Sequence, residues 1–256
     1  MTRPTEQGHW YTRAGAPAYT VIGANGKERN TTVRDARKLG LVPSVTGIIN
    51  EANSYGKVHY QIEQGILAAL TLPRHPDESE SLWIERVWAD SREAARKAAA
   101  GGTAIHAAIQ GALEGGPFDP QYGQHVDSVF GILSADPLLR ACDRFNVENF
   151  FCHIALGYGG KVDIHNESIV VDIKTKEFSL GAKLTTYDEH AMQLSAYREG
   201  LRLPHATCGI IYVSRTVPGL ARLIWIDQKE LVRGWHMFTA LLRYWQHKNK
   251  YVWEPE

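Results

Sequence analysis

The run Ser168-Ile-Val-Val-Asp172-Ile-Lys174-Thr175 constrains the fold more than any other part of the chain. Three consecutive β-branched residues, Ile169, Val170 and Val171, favour extended backbone, and Asn166-Glu167 supplies a turn before them. With a preceding strand over 160–164, the pair reads as a tight hairpin. Side chains alternate along a strand, so Val170, Asp172 and Lys174 share one face and Ile169, Val171 and Ile173 the other. The second set suits a core. The first sets a carboxylate beside an ammonium, with Asp163 on the neighbouring strand as a second carboxylate. Two converging carboxylates make a hard oxygen site suited to magnesium or manganese. A lysine beside them can stabilise negative charge on a transferring phosphoryl group or position a water. Taken alone, the hairpin reads first as a surface feature with an Asp–Lys cross-strand pair, and the rest of the chain overturns that reading.

At 256 residues the chain can bury a full core, and one large domain with appendages is expected. A hydrophobic fraction of 44% and a charged fraction of 22% are those of a soluble globular protein. Lys plus Arg and Asp plus Glu are 28 each, so any nucleic-acid contact has to come from local patches. No apolar run is long enough to span a bilayer, and residues 1–6 lack the hydrophobic stretch of a secretory signal. A cytoplasmic, reducing compartment and no membrane partner follow as expectations. Cys142, Cys152 and Cys208 form neither a CxxC pair nor a zinc spacing and are too few for a four-cysteine cluster. Buried free thiols are expected.

Periodicity and breakers organise the rest. Residues 1–42 read as a polar, irregular extension, with a strand at 18–22, a turn at Asn25-Gly26 and a basic cluster at Lys27, Arg29, Arg34, Arg37 and Lys38. Ser44 or Thr46 can cap a short apolar segment. Helices are expected over 55–70 and 78–100, with Gly101-Gly102 as punctuation before a further helix over 103–113. Another covers 122–133. Strands follow at 147–155, 160–164 and 168–175, then a helix at 188–199, strands at 208–214 and 220–226, and a last helix at 229–248. This order reads as an α/β fold, a mixed sheet flanked by helices. We divide it into a helical region 43–100, a core 101–227 and a C-terminal helix 228–256 within a single domain.

Further features surround the hairpin. His106 lies on a helix in Gly102-Thr-Ala-Ile-His106, and Glu148 begins the strand before Gly157-Tyr-Gly-Gly160. Gln193 and Tyr197 are four apart on the downstream helix and share a face. Singly, each has an ordinary reading: a packed histidine, a solvent-facing glutamate, a polar stripe.

Together these motifs resemble the PD-(D/E)XK nuclease superfamily, in particular the RecB-type branch that includes phage-type and mitochondrial genome-maintenance exonucleases. That branch shows a Gly-x-x-x-His helix, a Glu-bearing strand, a Gly-Tyr-x-Gly-x-x-Asp strand, an Asp-x-Lys-Thr strand and a Gln-x-x-x-Tyr helix. Here they stand in order as Gly102…His106, Glu148, Gly157-Tyr158-Gly159-Gly160…Asp163, Asp172-Ile173-Lys174-Thr175 and Gln193…Tyr197. Pro43-Ser44-Val45-Thr46 also looks like a segment of the phage and mitochondrial members, so the resemblance spans about residues 43 to 200. Val162 stands where the superfamily's proline would be. The resemblance implies a restriction-endonuclease-like core with an N-terminal helical extension. It implies Mg2+ or Mn2+ held by His106, Asp163, Asp172 and the Ile173 carbonyl, and no iron–sulfur cluster. Glu148 would add a carboxylate at or beside the ion, Lys174 would orient or activate water, and Gln193 and Tyr197 would position Lys174 or the scissile phosphate. The implied activity is DNA hydrolysis, as an exonuclease of recombination, repair or phage DNA processing in a bacterial or phage-infected cell. A recombinase or single-strand-binding protein is an implied partner. A flap or structure-specific endonuclease and a catalytically silent nucleic-acid-binding module are the alternatives.

For DNA contact, residues 231–253 contain no acidic side chain and interleave Arg233, Arg243, Lys248 and Lys250 with Trp235, Phe238, Tyr244, Trp245 and Tyr251. An amphipathic helix burying Leu231, Phe238, Leu241, Leu242 and Trp245 explains most of those rings equally well.

Overall fold

The computed structural model describes residues 9–52 and 55–255; residues 1–8, where the absence of a secretory signal was read, lie outside that description. In chain order the elements are β1 (Trp10–Tyr11), β2 (Thr20–Ile22), β3 (Glu28–Asn30), α1 (Val33–Leu39), β4 (Val42–Pro43), α2 (Val45–Ile49), α3 (Tyr55–Thr71) and α4 (Glu80–Leu113). Then come α5 (Gly123–Ala135), α6 (Pro137–Arg140), β5 (Asn146–His153), β6 (Tyr158–His165), β7 (Ile169–Lys176), α7 (Asp188–Gly200), β8 (Thr207–Ser214), β9 (Ala221–Trp225) and α8 (Gln228–Lys248).

β5 to β9 form one mixed sheet in sequential order, antiparallel except for the parallel β7–β8 pair. Parallel neighbours need a crossover, and α7 provides it. The expected α/β class with helices on a mixed sheet is what the chain adopts. The alternation along β7 separates two cores: Val170 packs with residues of α2, α7 and α8, whereas Ile169, Val171 and Ile173 pack with residues of α4, α5 and α6. Covered on both faces, β7 is buried from Ile169 through Ile173, and such strands read as apolar runs.

Local chemistry explains the boundaries. Ser44, not Thr46, caps α2 by accepting the Gly47 N–H at 3.0 Å. The Asn166 side chain accepts the N–H groups of Ser168 (2.8 Å) and Ile169 (3.0 Å), which makes the β6–β7 turn. Where α7 crosses α8, a Cβ on Gly234 would fall 2.5 Å from the Ala191 backbone, so the helices meet at glycine.

Two expectations need correction. Gly101-Gly102 does not interrupt the helix: α4 runs unbroken through it. Alanine-rich flanks offset about 1 kcal/mol per glycine, and a Cβ at Gly102 would lie 2.5 Å from Thr175 Oγ1, so the helix can lie against β7 only without a side chain there. The stretch 1–42, read as polar and irregular, holds α1, set by a Thr32–Asp35 capping box and closed by Gly40 at φ +63°. It also brings Trp10, Tyr11, Ala36, Leu41 and Val42 into the interior. Of the cysteines, Cys208 is buried while Cys142 and Cys152 are half-buried, all as free thiols. Among the described residues, no helix is long and apolar enough to cross a membrane.

Candidate metal and acid–base site

The site lies where the β6–β7 ladder stops. Ile164↔Val171 and His165↔Val170 pair, and counting on from them sets Asp163 opposite Asp172. There Asp163 Oδ2 accepts the Ile173 N–H at 2.6 Å, so a side chain takes over from the backbone ladder. On the other edge of β6, the Val147↔Ile164 and Asn149↔Val162 pairs leave Glu148 facing Asp163. Glu148 adopts φ +55°, a left-handed conformation unusual for a side chain of its size. α4 supplies the fourth group, with His106 Nε2 3.2 Å from Asp163 Oδ2 and Nδ1 3.9 Å from Glu148 Oε1. Ligand atoms of His106, Glu148 and Asp163 all lie within 4.8 Å of one another.

Asp172 is held differently. Its Oδ2 lies 2.9 Å from Lys174 Nζ, and its Oδ1 accepts from Gln193 Nε2 at 2.9 Å. Gln193 Oε1 in turn accepts from Lys174 Nζ at 2.9 Å, and Gln193 Nε2 also donates to Tyr197 Oη at 2.7 Å. One amide therefore ties together the acid, the base and the phenol across a single helix turn. All seven side chains singled out in the sequence line this region, and the Ile173 backbone joins it through the bond to Asp163.

Burial and charge set the protonation tendencies. Burial pushes the Asp172 carboxyl up, to about 6, with Asp163 adding to the shift and Lys174 opposing it. Lys174 loses from burial but is held above its ordinary value by Asp172. Of the two, Asp172 is the more enclosed (4% of its side chain exposed against 33%), so its destabilised charge dominates the pair. Glu148 is likewise raised by burial, against the pull of Lys161. Burial lowers His106, but Asp163, Glu148 and Asp172 overcome it and lift it above 6.5. Asp172 Oδ2 and Glu148 Oε2 are sealed from solvent and accept no hydrogen bond of good geometry; their neighbours are the ammonium groups of Lys174 and Lys161. Buried carboxylate oxygens in surplus, with an imidazole alongside, form a donor set that fits a hard divalent cation.

A cavity of about 370 Å³ opens on Asp163, Asp172, Lys174 and Gln193, with His9, Tyr11 and Tyr19 from the N-terminal segment on its rim. Sequence reasoning missed those three and Lys161. Only Lys161 left a signal, standing two residues before Asp163 and hence on the same strand face. Of the expected DNA-contacting surfaces, Phe238, Trp245 and Tyr251 are buried. Arg233 is engaged by Asp188 and Glu230, Lys248 by Glu51, and Arg29 by Asp35.

No family model matches the chain, and no curated protein does. Solved structures do. A crystal structure described as a "Putative exonuclease" from Eubacterium rectale aligns with 61% of this chain and 70% of its own, at 15% identity and a TM-score of 0.44. A second, named SSO0001, aligns with 72% of this chain and 85% of its own, at 15% identity and a TM-score of 0.25.

Proposed function

We propose that this protein is a metal-dependent DNA nuclease of the RecB-type PD-(D/E)XK kind, acting as an exonuclease in recombination, repair or phage DNA processing. The observation that carries the reading is the convergence of Asp163, Asp172, His106 and Lys174 on one open cavity, with Glu148 close enough to His106 and Asp163 to share an ion with them. His106, Asp163, Asp172 and the Ile173 carbonyl would hold Mg2+ or Mn2+, with Glu148 beside them. When bound, such an ion generates hydroxide near neutral pH and neutralises phosphate charge.

The chain's own residues do the positioning. Gln193 fixes the Lys174 ammonium against Asp172, so the lysine reaches the cavity at a set angle. From there Lys174 orients water toward phosphorus and stabilises the oxygens as charge builds on them. Tyr197 holds Gln193 from behind, at 2.7 Å. Asp163, bonded to the Ile173 N–H, is anchored to the strand that carries Asp172 and Lys174.

The test is an assay on end-labelled linear, single-stranded and closed circular DNA with Mg2+. Linear DNA is expected to be degraded, and EDTA, Asp163→Asn or Lys174→Ala to abolish this while the thermal melt stays cooperative. Cleavage of closed circles would replace the exonuclease reading with an endonuclease. Full activity in EDTA would remove the metal. Binding of DNA without hydrolysis by the unaltered protein would leave only a silent binding module.

A further inference from the structure

His106 stands between two cavities. On one side is the carboxylate cavity; on the other is a cleft of about 430 Å³ lined by Thr103, Gln110, Lys161, Thr175 and Arg215 as well as His106. His106 and Lys161 line both, so the two cavities adjoin at these side chains. The cleft's lining contains two cations and no carboxylate, whereas the neighbouring cavity sets Asp163 and Asp172 against Lys161 and Lys174. Hydroxyls of Thr103 and Thr175 and the Gln110 amide add neutral hydrogen-bonding groups. The cleft is also a built feature. Its wall is α4, which approaches β7 at Gly102, where a Cβ would meet Thr175 Oγ1.

We infer that this cleft is a subsite for a backbone phosphate of the bound strand, next along from the one at Asp163 and Asp172. The inference deepens the nuclease reading and rests on it. Lys161 links the two halves: its ammonium is paired with Glu148 and lies 5.8 Å from the centre of the Phe150 ring. Arg215, 3.2 Å from Glu177 at the far end, presents a planar guanidinium, the geometry that grips phosphate through two bonds. A strand whose phosphates bridge the two cavities would have its register along the site set by the cleft. Base identity would not matter there, since phosphates carry no sequence.

Ala107 offers a test that leaves every polar side chain of the proposed site in place. It lines the cleft and is exposed on α4. In a Lys174→Ala background with Mg2+, anisotropy of a fluorescein-labelled 20-nucleotide single strand reads affinity as a function of salt. Ala107→Glu is expected to weaken binding about tenfold and Ala107→Lys to tighten it severalfold. The salt slope should rise by roughly 0.7 for the lysine and fall for the glutamate. Arg215→Gln should lower the slope by a similar amount. Tightening by the lysine variant cannot come from misfolding, and thermal melts check the other two. If both Ala107 variants bind as the parent does, while the unaltered protein still degrades DNA, the subsite is wrong and the nuclease reading stands. If the parent binds no DNA and the unaltered protein degrades none, the nuclease reading fails and the subsite with it.

Discussion

Asp172→Asn should make the metal-free protein more stable. Burial and the facing Asp163 raise the Asp172 carboxyl from 3.8 to about 6 even with Lys174 at 2.9 Å. A rise of that size sets the charged form against the fold by about 3 kcal/mol at neutral pH. An amide at the same place removes that term. It also leaves Lys174, which Asp172 holds above its usual value, with a weaker partner, and this takes back part of the gain. The net expectation is about 1–2 kcal/mol, or roughly 3–6 °C in Tm for a chain of this size. The sign follows from linkage. A carboxyl whose folded-state pKa lies above its unfolded value contributes stability that is complete below about pH 4 and lost as pH rises through about 6. The variant's advantage should therefore be largest near pH 7 and shrink towards pH 4. Scanning calorimetry in EDTA at several pH values reads this directly, and added Mn2+ should reverse the order by stabilising only the unaltered protein. A lower Tm for the variant in EDTA, or a difference independent of pH, would refute the view of this site as a store of unsatisfied negative charge.

Three further outcomes are expected. Gln193→Met removes the amide that bridges Lys174 and Asp172; kcat should fall about 100-fold with DNA affinity nearly unchanged, as single-turnover kinetics and anisotropy would register. His190 accepts the Tyr187 N–H through Nδ1 at 3.1 Å, and burial, helped by Lys174, depresses it to about 4. The resulting stability is complete above about pH 6.5 and lost as pH falls towards 4; allowing for its partial exposure it is on the order of 1–2 kcal/mol, and His190→Gln should flatten the urea-midpoint profile in that window. Gly234→Ala forces a methyl onto the Ala191 backbone and should destabilise by about 2–4 kcal/mol in urea titrations, with the loss seen as a lower midpoint.

What could be read from the chain, and what could not, divides along the range of the forces involved. The hairpin, the β7 faces and the caps depend on neighbours within a few residues, and alternation alone separated Ile169, Val171 and Ile173 from Val170, Asp172 and Lys174. The Gln193–Tyr197 pair was visible as one helix turn, and its link to Lys174 only through the family resemblance, because the clasp itself depends on the packing of α7 on the sheet. Glycine at 101 and 102 looked like a stop because the contact that uses it, with Thr175, is more than seventy residues away. The left-handed backbone of Glu148 has no local cause in Asn-Val-Glu-Asn, and its carboxylate meets the ammonium of Lys161 on the facing strand. His9 and Tyr11 reach the cavity only because β1 pairs with β4, an encounter between short segments with little signature of their own.

The bond from the Ile173 amide to Asp163 means that one acid of the proposed metal site is also a fastener. Truncating it to alanine would strip out the proposed ligand oxygen and strand a buried donor in the same stroke, so a dead variant of that type says nothing about chemistry. Asparagine keeps an oxygen for the amide to find. Where a sheet hands part of its own seam to a functional side chain, conservative replacement is the only informative kind.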